Sequence, residues 1–134
     1  MKAKLIHNGS VLLLVVFVIA LLAAVVMGIC QMNTEEIQIM RNQIYAAQAL
    51  AIAEAGLNDA FAQIRDDDAW AAGYTDKLFD GGSYAVTVTG FPPNLTITST
   101  GTSPQGFVAR VAANVTLGST APYIIRIDNL RINE

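Results

Sequence analysis

The hydrophobic pattern of this chain changes period twice. Val11 to Cys30 is twenty residues without a charge or a proline. Beyond it, apolar residues recur every three or four positions at Ile37, Met40, Ile44, Ala47, Leu50, Leu57, Phe61 and Ile64, with Ala53 or Glu54 filling the gap. From Tyr84 onward the period drops to two. The first pattern predicts a helix of about 30 Å, the hydrocarbon thickness of a bilayer. Helix is also how a spanning segment satisfies its own backbone in lipid. The second pattern predicts an amphipathic helix with one apolar stripe, and the third an antiparallel sheet with one buried face. The expected class is α+β: a long N-terminal helix, transmembrane in its first half, with a small C-terminal antiparallel sheet packed on its second half.

The segments this implies are a leader at 1–9, a transmembrane half of the helix at 10–30 and an amphipathic half at 31–65. A connecting loop at 66–82 and a β head at 83–134 follow. No proline lies between Val11 and Arg65, so one nearly continuous helix of about 80 Å is expected. Ala46 to Ala55 holds six alanines, which favour helix and let neighbouring helices approach closely. Gly56 costs about 1 kcal/mol against alanine in a helix interior, so it predicts a bend or a close contact with a sheet laid over Leu57, Phe61 and Ile64. Gly28 is a second soft position. Asp66-Asp67-Asp68 opposes the dipole of a helix C-terminus and ends the helix there, with Asp68 expected to cap a short helical turn at 69–72.

In the head, Tyr84, Val86 and Val88 face one way and Ala85, Thr87 and Thr89 the other. Gly90-Phe91-Pro92-Pro93-Asn94 predicts a turn, because prolines cannot donate to a ladder. Leu95 and Ile97 alternate with Thr96 and Thr98. After a break at 101–106, a third strand places Phe107, Ala109, Val111, Ala113, Val115 and Leu117 on one face. A fourth runs from Tyr123 to Ile127 and changes phase around Asp128-Asn129. Asn94-Leu95-Thr96 and Asn114-Val115-Thr116 match the glycosylation pattern and are read instead as strand chemistry.

Charge and composition narrow the function classes. The net charge is −3 and no basic tract occurs, which argues against nucleic acid as a partner. A lone Cys30 excludes a disulfide framework. His7 is the sole histidine, and no nucleophile elbow, P-loop or dinucleotide fingerprint is present, so no catalytic constellation and no cofactor is expected. Calcium at Asp66–Asp68, joined by Asp76 or Asp80, is the alternative to a solvated loop, but the spacing does not match an EF-hand, and no metal site is expected.

The start of the apolar run has several readings. Lys2 and Lys4 before it, against Glu35 and Glu36 after it, place the N-terminus in the cytoplasm. A secretory signal has a core of 7–15 residues and an A-x-A-like site; this run is longer, with only Ala20, Ala23 and Ala24 as a weak mimic. A lipidated cysteine wants a small residue before it, and Ile29 precedes Cys30. An ordinary single-pass anchor also fits. Asn8-Gly9-Ser10 adds a glycine whose missing side chain suits extended binding in a protease cleft, and a cut there would keep the whole apolar helix on the protein.

A short basic leader ending in glycine, the uncut apolar helix and Ala53-Glu54-Ala55-Gly56-Leu57 together resemble type IV prepilins and the pseudopilins of type II secretion. The nearer likeness is to PilX-like minor pilins, over roughly residues 1–65 and more weakly in the β tail. The resemblance implies prepilin peptidase cleavage between Gly9 and Ser10. It also implies an inner-membrane origin with the head periplasmic, and assembly with other pilin or pseudopilin subunits through an inner-membrane platform, ending at a pilus tip or cell surface. Major pilins of this group typically carry glutamate at the fifth mature position, understood to pair with the N-terminal amine of the subunit added before it; here that position is Leu14. The resemblance therefore implies a tip or priming subunit. The rival expectation is a membrane-anchored protein whose periplasmic β domain binds a partner and joins no filament; a secreted β protein or small enzyme is a third.

Overall fold

The computed structural model describes residues 2–133, with side chains described from Gly9 onward; the expected leader's Lys2, Lys4 and His7 side chains lie outside the described residues. One helix, α1 (Lys2–Asp66), precedes five strands: β1 (Tyr74–Phe79), β2 (Gly82–Phe91), β3 (Asn94–Thr102), β4 (Val108–Leu117) and β5 (Ile125–Ile132). The chain divides into two compact units, residues 1–41 and residues 42–134.

The first unit is helix alone. Its apolar side chains from Val11 to Ile29 are all largely exposed. Thr34 is accommodated by donating its hydroxyl to the Cys30 carbonyl at 3.0 Å, which answers a polar side chain's competition with the helix ladder locally.

The second unit comprises the last turns of α1 and a meander in the order β1-β2-β3-β4-β5, every neighbouring pair antiparallel. Its core lies between the two layers. Ala49, Ile52, Ala53, Leu57, Ala60 and Ile64 of the helix meet Tyr84, Val86, Leu95, Ile97, Val111, Ala113 and Val115 of the sheet, all buried. The fold class read from the sequence is the one observed, and the alternation of buried and less buried residues in β2, β3 and β4 follows the period of two.

Three boundaries differ from expectation. The 66–82 stretch is not a loop throughout, since β1 occupies Tyr74–Phe79 and β2 begins at Gly82. Asp80 and Gly81, both at positive φ (49° and 75°), close the β1–β2 hairpin as a primed turn suited to the strand twist. β1 shows no period of two because only Tyr74 is partly buried and its register shifts between Tyr74 and Lys77. Second, no helical turn follows Asp68. Asp67 makes the turn instead, its Oδ1 accepting from Ala69 N–H at 3.0 Å and its carbonyl from Trp70 N–H at 3.1 Å. Third, β5 continues past Ile127 to Ile132. The phase change expected at Asp128-Asn129 is a bulge, for Asn114 pairs with Asn129 and Val115 with Ile127, leaving Asp128 unopposed.

Candidate functional site

The residues singled out in the sequence fall into two groups, one in each unit. Gly9, Ser10 and Leu14 lie in the helix and are exposed, Leu14 at 62%. Gly28 is half-buried and has open space where a side chain would project. The helix is long and apolar enough to cross a membrane by length and composition, and its most apolar window buries nothing within the chain. The Gly9-Ser10 peptide is helical rather than extended, so a protease reading it as a strand must first unwind that turn.

The Ala53-Glu54-Ala55-Gly56-Leu57 motif divides by face. Ala53, Gly56 and Leu57 are buried, Ala55 is partly covered and Glu54 is exposed. Gly56 has the close sheet contact expected of it. An ideal Cβ there would sit 2.5 Å from Ser99 Oγ and 2.7 Å from Tyr84 Cδ2. Opposite, Gly101 of β3 lies against the backbone of Ala49 and Ala53. Small residues on both layers thus set the helix–sheet spacing. Of the six alanines, Ala49 and Ala53 seat the sheet of this chain, whereas Ala46, Ala47 and Ala51 are exposed. The stripe also shifts: Ile52, not Ala47, belongs to the core, and Ile37, Met40 and Ile44 are exposed.

One polar constellation was not anticipated. Asp59 Oδ2 accepts from Lys77 Nζ at 2.5 Å and from the Tyr84 hydroxyl at 2.6 Å. Lys77 Nζ also stands 4.4 Å from the centre of the Tyr74 ring; Tyr74 packs on Trp70 and Tyr84, and Tyr84 on Phe79, with ring centres 5.4–6.3 Å apart. The Lys77 hydrogen bond, then that of Tyr84, holds the Asp59 carboxyl below its ordinary range. The same carboxylate raises Lys77. Burial first, then the Asp59 hydrogen bond, pushes Tyr84 up. The arrangement keeps every partner in its ordinary charge state at neutral pH, which suits a clamp between helix and sheet edge rather than proton transfer. The available signal was Asp59 as the one carboxylate between Ala55 and Arg65; its partners, 18 and 25 residues away, leave no trace in spacing.

The second unit leaves an apolar surface open along β5. Ile127, Leu130 and Ile132 pair in register with buried Val115, Ala113 and Val111, so they extend the core face of the sheet, yet each is about half exposed. Between β5 and the end of α1 runs a groove of about 530 Å3 lined by Phe61, Ala62, Arg65, Tyr123, Ile124 and Ile127, among others. The Tyr123 N–H donates to the Arg65 carbonyl at 3.0 Å and fixes one wall. The nearby Asp68 charge pushes the Tyr123 hydroxyl up. Among the described residues no three His, Cys, Asp or Glu side chains converge to hold a metal ion. The two Asn-x-Thr sequences lie opposite one another on the outer face: Thr96 donates to Asn114 at 3.1 Å and Thr116 to Asn94 at 3.3 Å, the strand chemistry expected of them.

Comparison with protein-family models, with curated proteins and with solved structures gives no significant match, so what stands for this chain is an α+β protein with one long apolar N-terminal helix and a five-stranded antiparallel meander.

Proposed function

We propose that the chain is a minor pilin or pseudopilin, a non-enzymatic subunit that primes or caps a helical filament after cleavage between Gly9 and Ser10. The observation that carries this reading is the division of labour along α1. The section around Val11–Ile29 buries no side chain within the chain, while residues 49–64 seat the sheet through the Ala53–Leu57 motif. An anchor that only tethers a domain has no need to continue as the domain's central helix.

In this reading the apolar section starts in the inner membrane, N-terminus cytoplasmic, and is drawn from lipid into a core of like helices. Lipid is as apolar as leucine, so close van der Waals packing supplies the gain. A carboxylate in the bilayer costs about 2.5–3.5 kcal/mol on insertion scales and persists only with a partner. Leu14 avoids that cost and offers no partner to the amine of another subunit. The Ser10 amine freed by cleavage remains available to one, and that asymmetry supports a tip or priming position over one along the filament.

Intact-mass measurement of the membrane-extracted protein tests the reading. Loss of residues 1–9 is expected, and Gly9→Leu should abolish it. An intact N-terminus, or cleavage after Ala24, would point to a bitopic or secreted β-domain protein instead. Tagged protein spread evenly along purified filaments would remove the tip assignment while leaving the pilin reading in place.

A further inference from the structure

The sheet is wider than the helix that covers it. Five strands set about 4.8 Å apart span about 19 Å, and a helix with its side chains is about 10–12 Å across. On the β5 side the shortfall is visible in burial. Val86 of β2, Ile97 of β3 and Ala113 of β4 are at most 2% exposed, whereas Ile127, Leu130 and Ile132 of β5 are 47–50% exposed. β5 runs alongside α1 rather than beneath it. Its Ile132 end is level with Gly56, because Ile132 pairs with Val111 and Val111 with Ser99, which abuts Gly56. Its other end is level with Arg65, whose carbonyl accepts from Tyr123 N–H. Between them lies the groove of about 530 Å3. Its α1 wall is Asn58, Phe61, Ala62 and Arg65, one ridge spaced at three and four residues with small Ala62 inside it. Among the described residues, Arg65 is the only charged side chain on that lining, and its guanidinium has no hydrogen bond or ion pair. The nearest carboxylates along the chain are turned elsewhere. Asp67 accepts from Ala69 N–H, Asp68 faces the Tyr123 hydroxyl, and Asp66 projects about 100° further round the helix.

We infer that this groove takes an amphipathic α-helix of a partner protein, laid alongside α1 over β5, with a carboxylate at the Arg65 end. The contact needs neither cleavage at Gly9 nor entry into a filament, so it does not depend on the proposed filament role. Shape selects a helix. Neighbouring helices pack about 8–10 Å axis to axis, and that spacing from α1 sets a second helix over β5, with Ala62 leaving room for the approach. Ile127 to Ile132 is about 16 Å long, which about three turns of helix cover. A strand added at β5 would instead meet the bulge at Asp128, where the ladder is broken, and would widen the uncovered face. A single fatty chain would fill the groove and leave Leu130 and Ile132, which do not line it, still open. Charge selects the chemistry of the partner. A lone cation in an apolar groove is matched by one acidic residue beside a stripe of aliphatic ones.

The test uses the full chain in non-ionic detergent and a fluorescent, end-blocked, alanine-based helical peptide of about 18 residues. The peptide carries leucines spaced i, i+4 and i+7 and one glutamate a turn further on. Binding is read by anisotropy against protein-free micelles. The glutamate peptide is expected to bind, and the same peptide with lysine in that place about tenfold less tightly, since repulsion replaces attraction. Arg65→Gln should bring the two peptides within about twofold of each other, and Ala62→Phe, which fills the groove, should abolish binding of both. Both positions are exposed, so circular dichroism should report an unchanged fold. No binding of the glutamate peptide, equal binding of both peptides by the parent, a preference that survives Arg65→Gln, or binding unaffected by Ala62→Phe would each overturn the assignment. So would tighter binding of an extended valine–threonine peptide or of laurate, or a dimer of the chain alone in sedimentation that Ala62→Phe dissociates.

Discussion

Replacing Gly56 with alanine sets two effects of opposite sign against each other. Alanine is better than glycine in a helix interior by about 1 kcal/mol. Against that, the new Cβ would lie 2.5 Å from Ser99 Oγ, 2.7 Å from Tyr84 Cδ2 and 2.9 Å from Tyr84 Cγ. Ser99 can turn its hydroxyl aside. Tyr84 cannot yield as easily, because its hydroxyl is bonded to Asp59 at 2.6 Å and its ring is flanked by Tyr74 at 5.9 Å and Phe79 at 6.3 Å. Overpacking a filled core costs about 1–3 kcal/mol. With three contacts too short at once the upper half of that range applies, leaving a net loss of about 1–2 kcal/mol. Urea unfolding of the full chain in mild detergent measures it, followed by emission of Trp70, the sole tryptophan, which packs on Tyr74 at 5.4 Å. The midpoint should fall with an unchanged slope. Ser99→Ala provides the internal control. Ser99 Oγ is fully buried and lacks a hydrogen-bond partner among the described residues, so its removal should stabilise by about 1 kcal/mol. In the double variant Gly56→Ala/Ser99→Ala, part of the alanine penalty should be recovered as a coupling energy. A Gly56→Ala protein as stable as the parent would refute the claim that this glycine sets the layer spacing.

Three further outcomes follow from the same packing. Gly101→Ala should cost about 3 kcal/mol or prevent folding, because its Cβ would strike the backbone of Ala49 and Ala53, which cannot rotate away; soluble yield and urea midpoint report it. Ile52→Ala should lose about 2–5 kcal/mol, whereas Ile44→Ala should stay within about 0.5 kcal/mol, since Ile52 is 1% exposed and Ile44 63%. Asp59→Asn should destabilise by about 1 kcal/mol at neutral pH, a figure discounted for the solvent exposure of Lys77. The pH dependence has a definite sign: a carboxyl whose folded value is depressed below 3.8 contributes fully above that unfolded value and loses its contribution as pH falls through the folded one. The gap between parent and Asp59→Asn should therefore close in acid, below about pH 4; a gap that persists unchanged there would remove the ion pair as its cause.

The sheet was legible wherever burial alternates. Tyr84–Thr89, Leu95–Thr98 and Phe107–Leu117 each display a period of two, and the bulge at Asp128 announced itself as a change of phase. β1 was not legible by that rule because almost all of it is exposed, although Asp80-Gly81 is a strong local hairpin signal and would have found it. Buried Ser99 and Gly101 continue the apolar face of β3 but read as polar and as a break. On the helix, Ile37, Met40 and Ile44 have the spacing of the core stripe, because periodicity reports which residues share a face and not whether this chain covers it. The same limit governs the site. The apolar section and the Ala53–Leu57 motif are visible as sequence, whereas the Asp59 clamp exists only through the packing of α1 against β1 and β2.

The strand order has a consequence for how this domain comes into being. Each strand pairs with the one made just before it, and the helix that carries the inner layer precedes them all. A chain emerging from a ribosome or a translocation pore, N-terminus first, can therefore add strands in the order they arrive, each onto an edge already waiting. No strand has to be held open for a distant partner, so long-range loop closure is kept small. The interval in which an unpaired apolar strand is exposed is correspondingly short.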